Sequence, residues 1–206
     1  MAPVMKRHDG RAGNELRPFA SDQGALFRAD GRRNEHIEKA TLDVCFKLEK
    51  GQLTSKEKEY EQIIRQTFEP VIVADDFPRA VISIVVQVIE DNGSISSFTN
   101  HSINAVSLAL LDAGVPMLSI VTSATCGLLP DGNLFLDPSL VEEELSTSLV
   151  TTACSSTNDG VLTSLTKGLL TEEQYFACSE ACQRASESVH AFLRIVQQKK
   201  YPIEAA

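Results

Sequence analysis

From Ala80 to Ile89 the chain reads Ala-Val-Ile-Ser-Ile-Val-Val-Gln-Val-Ile without a charge, then breaks at Glu90-Asp-Asn-Gly-Ser94. Apolar positions at helical spacing follow, and Gly114 with Pro116 closes them. Such a run predicts a buried strand that feeds a Gly-containing turn into a deep helix over about Thr99 to Ala113. Backbone N–H groups at a helix start have no intrahelical partner, and a neighbouring Gly admits an anion close to the main chain. Asn92, Gly93 and Ser94 are therefore candidate phosphate or RNA contacts, although a plain connecting turn has the same pattern.

Upstream, Thr41 to Leu48 alternates, which places Leu42, Val44, Phe46 and Leu48 on one face of a strand. Thr54 with Glu57 forms a capping-box pattern, and Tyr60, Ile63, Ile64, Thr67, Phe68 and Val71 recur at helical spacing. Pro70 should kink or end that helix. Downstream, Leu118 to Leu129 predicts a strand, turned by Pro130-Asp-Gly-Asn133 into Leu134–Leu136. Leu149–Cys154 and Val161–Thr166 flank Asn158-Asp-Gly160 as a second hairpin. A last helix starts at Thr171, capped toward Gln174, and runs to about Lys199 with Tyr175, Cys178, Cys182, Val189, Phe192 and Leu193 inward. The class expected is α+β, with helices packed on one sheet face, in one domain.

Composition narrows the options. Twenty-eight acidic against nineteen basic side chains give a formal charge of −9, which argues against autonomous, charge-driven binding to a phosphate backbone. Five scattered cysteines form no CxxC pair and no zinc spacing. No run approaches about 18 apolar residues, so no membrane span is expected. The first residues lack the apolar core of a secretory signal, which predicts an intracellular protein.

Eight segments, in order, point to one family. They are Asn14-Glu-Leu-Arg17-Pro18-Phe, Phe27-Arg-Ala-Asp30-Gly31, Lys56-Glu-Lys-Glu-Tyr60-Glu, Val85-Val-Gln-Val, Asp91-Asn-Gly93-Ser94, Leu110-Leu-Asp112-Ala-Gly114-Val-Pro116, Leu136-Asp137-Pro138 and Leu162-Thr-Ser-Leu-Thr-Lys-Gly168. Over nearly its whole length the chain resembles the ribonuclease PH family, which includes ring subunits of the eukaryotic RNA exosome. The resemblance implies a ribosomal-protein-S5-domain-2-like fold, a mixed sheet with helices packed on it. It also shows a departure, because only Arg32 to Ile37 stands between Asp30-Gly31 and Glu38-Lys39-Ala40, where the family carries a hairpin. Residues 1–13 are expected to be disordered.

Active members of that family cleave RNA from its 3′ end with phosphate as nucleophile, which requires cationic groups to hold two anions together. The resemblance places Phe68 and Ile95 where active members carry arginines, and leaves Arg65 as a nearby cation. It maps the family's acidic pair to Asp137 and Glu143. Asp137 precedes Pro138 and also suits a turn, while Glu142-Glu-Glu144 also reads as a solvated charge run. Arg11, Arg28, Arg32 and Arg33 make the N-terminal region locally basic and a candidate RNA contact, while His101 and His190 lack a Ser or Cys partner at motif spacing.

The implied role is a non-catalytic subunit of an exosome ring. Its partners would be other ribonuclease-PH-type ring subunits, the cap subunits, and RNA in the assembled channel. It would need no cofactor, and would act in the nucleus, nucleolus and cytoplasm. The alternative is a homodimeric phosphorolytic or metal-dependent 3′ exonuclease using Asp137, Glu143 and the Ser94 turn.

Overall fold

The computed structural model describes residues 11–21, 39–47, 55–89, 95–157 and 160–201. The first strand, β1 (Thr41–Lys47), buries Val44 and Phe46 on its inward face, as the alternation requires. Helix α1 (Ser55–Phe68) follows and buries Ile64 and Phe68. It stops two residues short of Pro70, and the Phe68 carbonyl accepts from the N–H groups of both Val71 and Ile72. The residue before a proline resists helical torsions, so the chain turns at Glu69 and does not run on through a kink. Thr54 of the predicted capping box lies outside the described residues.

Strand β2 (Val81–Gln87) pairs parallel with β1, from Thr41 opposite Val81 to Lys47 opposite Gln87. The expectation of a fully buried strand fails here. Ile84 is buried, but Val85 is 40% exposed and Ile89 81%. Among the described residues the sheet has two strands, and β2 has β1 as its one strand neighbour. The missing family hairpin was placed between residues 31 and 38, which lie outside the described residues.

Helix α2 (Ile95–Asp112) begins four residues before the expected Thr99. Its end matches expectation. Gly114 takes a left-handed φ of 68° and donates to Leu111, while Val115 donates to Leu110. This pairing closes the last carbonyls, and glycine adopts that torsion without a Cβ clash.

Strand β3 (Val121–Leu128) starts three residues after the expected Leu118, which is exposed. The preceding segment is held elsewhere, because Leu118 donates to the Val71 carbonyl. Strand β4 (Leu134–Leu136) returns as the predicted hairpin, with Cys126 opposite Leu136 and Leu128 opposite Leu134. Gly127 is required there, since a Cβ on it would sit 2.3 Å from the Phe135 ring. The short helix α3 (Leu140–Leu145) leads into β5 (Ser148–Ser155) and β6 (Val161–Gly168), the second predicted hairpin. Its turn residues Asn158 and Asp159 lie outside the described residues. The four strands form an antiparallel sheet in the order β4-β3-β5-β6.

Helix α4 (Glu172–Lys200) is capped as expected, the Gln174 N–H donating to Thr171 Oγ1 and the Thr171 N–H to Gln174 Oε1. It buries Cys178, Cys182, Val189 and Leu193, and Lys200 pairs with Asp112 at the end of α2.

Helices cover both faces of the four-stranded sheet, which corrects the one-face expectation. On one face Ser123 bonds Asn100 of α2, and Thr163 bonds Thr67 of α1 at 2.8 Å. On the other, Ala124, Cys126 and Val150 pack on Cys178, Cys182 and Ala185 of α4. Every residue of β3 is buried, so one helical layer would have left its second face wet. Hydrogen-bonding contacts with the sulfurs of Cys178 and Cys182, and then burial, push the Cys126 thiol up and keep it neutral. Among the described residues no helix is long and apolar enough to cross a membrane.

Candidate functional site

Asp137 follows β4 directly, with a left-handed φ of 52°, and is 2% exposed. Its N–H continues the sheet by donating to the Thr125 carbonyl at 2.8 Å. Its carboxylate faces the N-terminal segment 11–21. Arg17 grips both oxygens, with Nε 2.7 Å from Oδ2 and a terminal guanidinium nitrogen 2.5 Å from Oδ1. The Arg17 backbone N–H adds a bond of 3.0 Å, and Arg11 contributes a longer one of 3.4 Å. Arg11 also donates to the Asp137 carbonyl at 3.3 Å.

The fork of a guanidinium matches a carboxylate in two parallel bonds, so this arrangement fixes orientation as well as charge. Burial by itself would raise the Asp137 pKa. The hydrogen bonds and charge of Arg17, with a contribution from His101, outweigh it and hold the carboxyl below its ordinary value of 3.8. The pair is therefore ionised at neutral pH. An aspartate held this way does not take up a proton readily, which general-base work would demand.

The N-terminal segment is held at further points. Leu136 donates to the Gly13 carbonyl at 2.7 Å, and the Phe19 ring stacks 5.4 Å from Phe192 and 6.5 Å from His101. Of the stretch read as disordered, residues 1–10 lie outside the described residues, while Arg11 to Gly13 are engaged. Arg11 was read as a solvent-facing cation for RNA. It turns inward with its side chain 11% exposed, because the buried carboxylate offers a better partner than water. Arg28, Arg32 and Arg33 lie outside the described residues.

Glu143, the second acidic candidate, sits on α3 and is 9% exposed. The solvated-run reading therefore fails at this residue. Glu142 reaches back to the Ser139 N–H at 2.9 Å, Glu144 points to solvent, and Glu143 between them is turned inward. Lys167 of β6 stands 3.6 Å away. Each carboxylate of the pair thus has its own cation, Arg17 for Asp137 and Lys167 for Glu143.

Arg65 lies in the last turn of α1, half exposed, 3.9 Å from Asp43 of β1. Phe68, one turn further, is fully buried in the apolar core with Ile64, Val71 and Ile103. Asn92, Gly93 and Ser94 lie outside the described residues, immediately before α2. Sequence reasoning found Asp137 and Glu143 but missed their partners. The Arg17 signal stood in the text as Arg17-Pro18-Phe, yet its target lies 120 residues away.

A ribonuclease-PH-like architecture with an arginine-clamped acidic site defines the class, and comparison with known proteins agrees. The chain matches the 3′ exoribonuclease family, domain 1 over residues 15–116 and domain 2 over residues 119–185. It is 31% identical to an exosome complex exonuclease RRP46 homolog of Arabidopsis thaliana, covering 91% of this chain and 94% of that one. It is 30% identical to the RRP46 homolog of Oryza sativa subsp. japonica, covering 95% and 97%. The crystal structure of rice Rrp46 superposes with a TM-score of 0.84 at 32% identity, covering 93% of this chain and all of that one. The chain belongs to the ribonuclease PH, or 3′ exoribonuclease, family.

Proposed function

We propose that this protein is a non-catalytic structural subunit of an RNA exosome ring, supporting 3′-to-5′ RNA processing and degradation, including ribosomal RNA maturation. The support for the ring is the near-complete coverage of relatives named as exosome components. The support for a non-catalytic role is the clamp on Asp137. Its carboxylate is held by Arg17 and Arg11, and the position of Phe68 contributes apolar core where phosphorolysis calls for a cation.

On this reading the chain sits beside other ribonuclease-PH-type subunits and below the cap subunits. RNA passes its Arg65 side and the Asn92-Gly93-Ser94 turn, and associated nucleases do the cutting. The net charge of −9 fits such a subunit, which takes its affinity from protein contacts and not from phosphate neutralisation. It would work in the nucleus and nucleolus, where ribosomal RNA matures, and in the cytoplasm.

Co-expression with the remaining ring subunits of the same organism tests the assignment. The expected result is a stoichiometric ring containing this chain that fails to assemble when it is omitted. A complete ring that forms without it would overturn the reading.

A further inference from the structure

Where α4 passes the start of β3 and the end of β5, the two layers part around a cavity of about 300 Å³. That is far more than one water needs, and it stands at the small end of the roughly 300–1,000 Å³ typical of ligand sites. Thr122 of β3 contributes to the wall on the sheet side, with Ser155 and Ser156 at the end of β5. Ser186, Glu187 and His190 contribute from α4, at helical spacing beside the apolar stripe that packs on the sheet.

Ser186 is the informative member. It is 4% exposed, and its hydroxyl has no hydrogen-bond partner among the described residues. A buried hydroxyl left unbonded costs stability, and in a helix alanine would avoid that cost. The charges at the mouth say what could complete it. Glu180 and Arg184 also line the cavity, and they pair with each other at 2.5 Å, one turn apart on α4. Glu187 is exposed and has no ion pair among the described residues, so a single carboxylate is left uncompensated. Such a mouth repels phosphates and carboxylates and attracts a positive group. Among the described residues no three metal-ligating side chains gather, so a bare metal ion would find too few ligands. A guanidinium or an ammonium carries donors only, and carboxylate and hydroxyl oxygens are the acceptors it needs.

We propose that this cavity binds a small organic cation, a guanidinium or primary ammonium compound, whose donors reach Glu187 at the mouth and the Ser186 hydroxyl in the wall. The site shares no residue with Asp137 or its clamp, and it is independent of the ring role.

Titrating agmatine, which carries both a guanidinium and an ammonium group, into the isotope-labelled full chain at low salt tests it, read by amide NMR shifts and by calorimetry. One saturable site with a dissociation constant of about 1 mM or tighter is expected, with shifts centred on Ser155, Ser156, Ser186, Glu187 and His190. Glu187→Gln should weaken binding about tenfold through the lost charge. Ser186→Ala should weaken it about threefold without lowering the melting temperature, because the hydroxyl it removes has no partner to lose. Glu172→Gln, which removes an exposed carboxylate in the first turn of α4, should leave the constant unchanged and controls for the acidic surface as a whole. Absence of saturation, shifts spread over the whole surface, equal losses in Glu172→Gln and Glu187→Gln, an unchanged constant in Ser186→Ala, or inorganic phosphate binding here in place of the cation would each overturn the proposal.

Discussion

The four-stranded sheet and the two-stranded sheet differ in what meets their edges. Beyond the short β4, the free side of β3 is occupied by Asn104, whose side-chain amide donates to the Ser123 carbonyl and accepts its N–H at 2.8 Å. The Gly13 carbonyl receives the Leu136 N–H on β4, and a bulge at Ala153 and Cys154 together with Lys167 marks the β6 side. Among the described residues of the two-stranded sheet, only Glu61 performs such a duty, on the outer side of β1. Sealing an edge takes residues far apart in sequence, and the larger sheet has them. The candidate acidic site lies where sealing is most complete, so its geometry is fixed by contacts unrelated to binding RNA.

The largest effect expected in breaking this contrast comes from the core shared by the two halves. Phe68→Arg, the change that would restore a family cation, puts an unpaired charge at a fully buried position beside Ile64 and Ile103. It should cost about 5 kcal/mol and leave the chain unfolded in a thermal or urea melt, with no gain of nuclease activity.

Next is Asp137→Asn, which removes the charge that Arg17 and Arg11 surround. A loss of about 3 kcal/mol is expected by urea titration, at the low end for a buried pair because Arg17 is partly solvated. The pH dependence follows from the lowered pKa. The native state holds its proton less tightly than the unfolded chain, so the contribution is complete above the ordinary value of 3.8 and is lost as pH falls through the lower native value. Wild-type stability should drop below about pH 4 more steeply than that of Asp137→Asn.

Asn104→Ala should cost about 1–3 kcal/mol, since it strands the Ser123 backbone groups in a buried place. Hydrogen exchange at Ser123 should quicken with it. Smallest is Val85→Lys at an exposed position of β2, where stability should stay within about 0.5 kcal/mol in a thermal melt.

Local chemistry was readable. The Gly114-Val-Pro116 stop, the Thr171 and Gln174 cap and the Pro130 to Asn133 turn all appeared where the sequence put them, because each depends on residues within a few positions. The status of β2 was not. A run such as Ala80 to Ile89 has the same text in a central strand and at an edge, and only the number of neighbouring strands separates the two. Glu143 shows the same limit on a smaller scale. Three consecutive glutamates look alike in sequence, but a helix turns about 100° per residue and sends one inward, one to the cap and one to water. For Asp137 the residue was legible while its chemistry was not, because the partner that lowers its pKa comes from the opposite end of the chain.

The central claim, which rests on the proposed function, is that an acidic site whose Asp137 is clamped by Arg17, with apolar Phe68 where phosphorolysis calls for a cation, does not cut RNA. Incubating the purified full-length chain with 3′-labelled single-stranded RNA, with and without inorganic phosphate and a divalent metal, tests it most directly. The account predicts intact RNA in every condition. Phosphate-dependent release of nucleoside diphosphates from the 3′ end, abolished by Asp137→Asn in a sample still folded by circular dichroism, would contradict it.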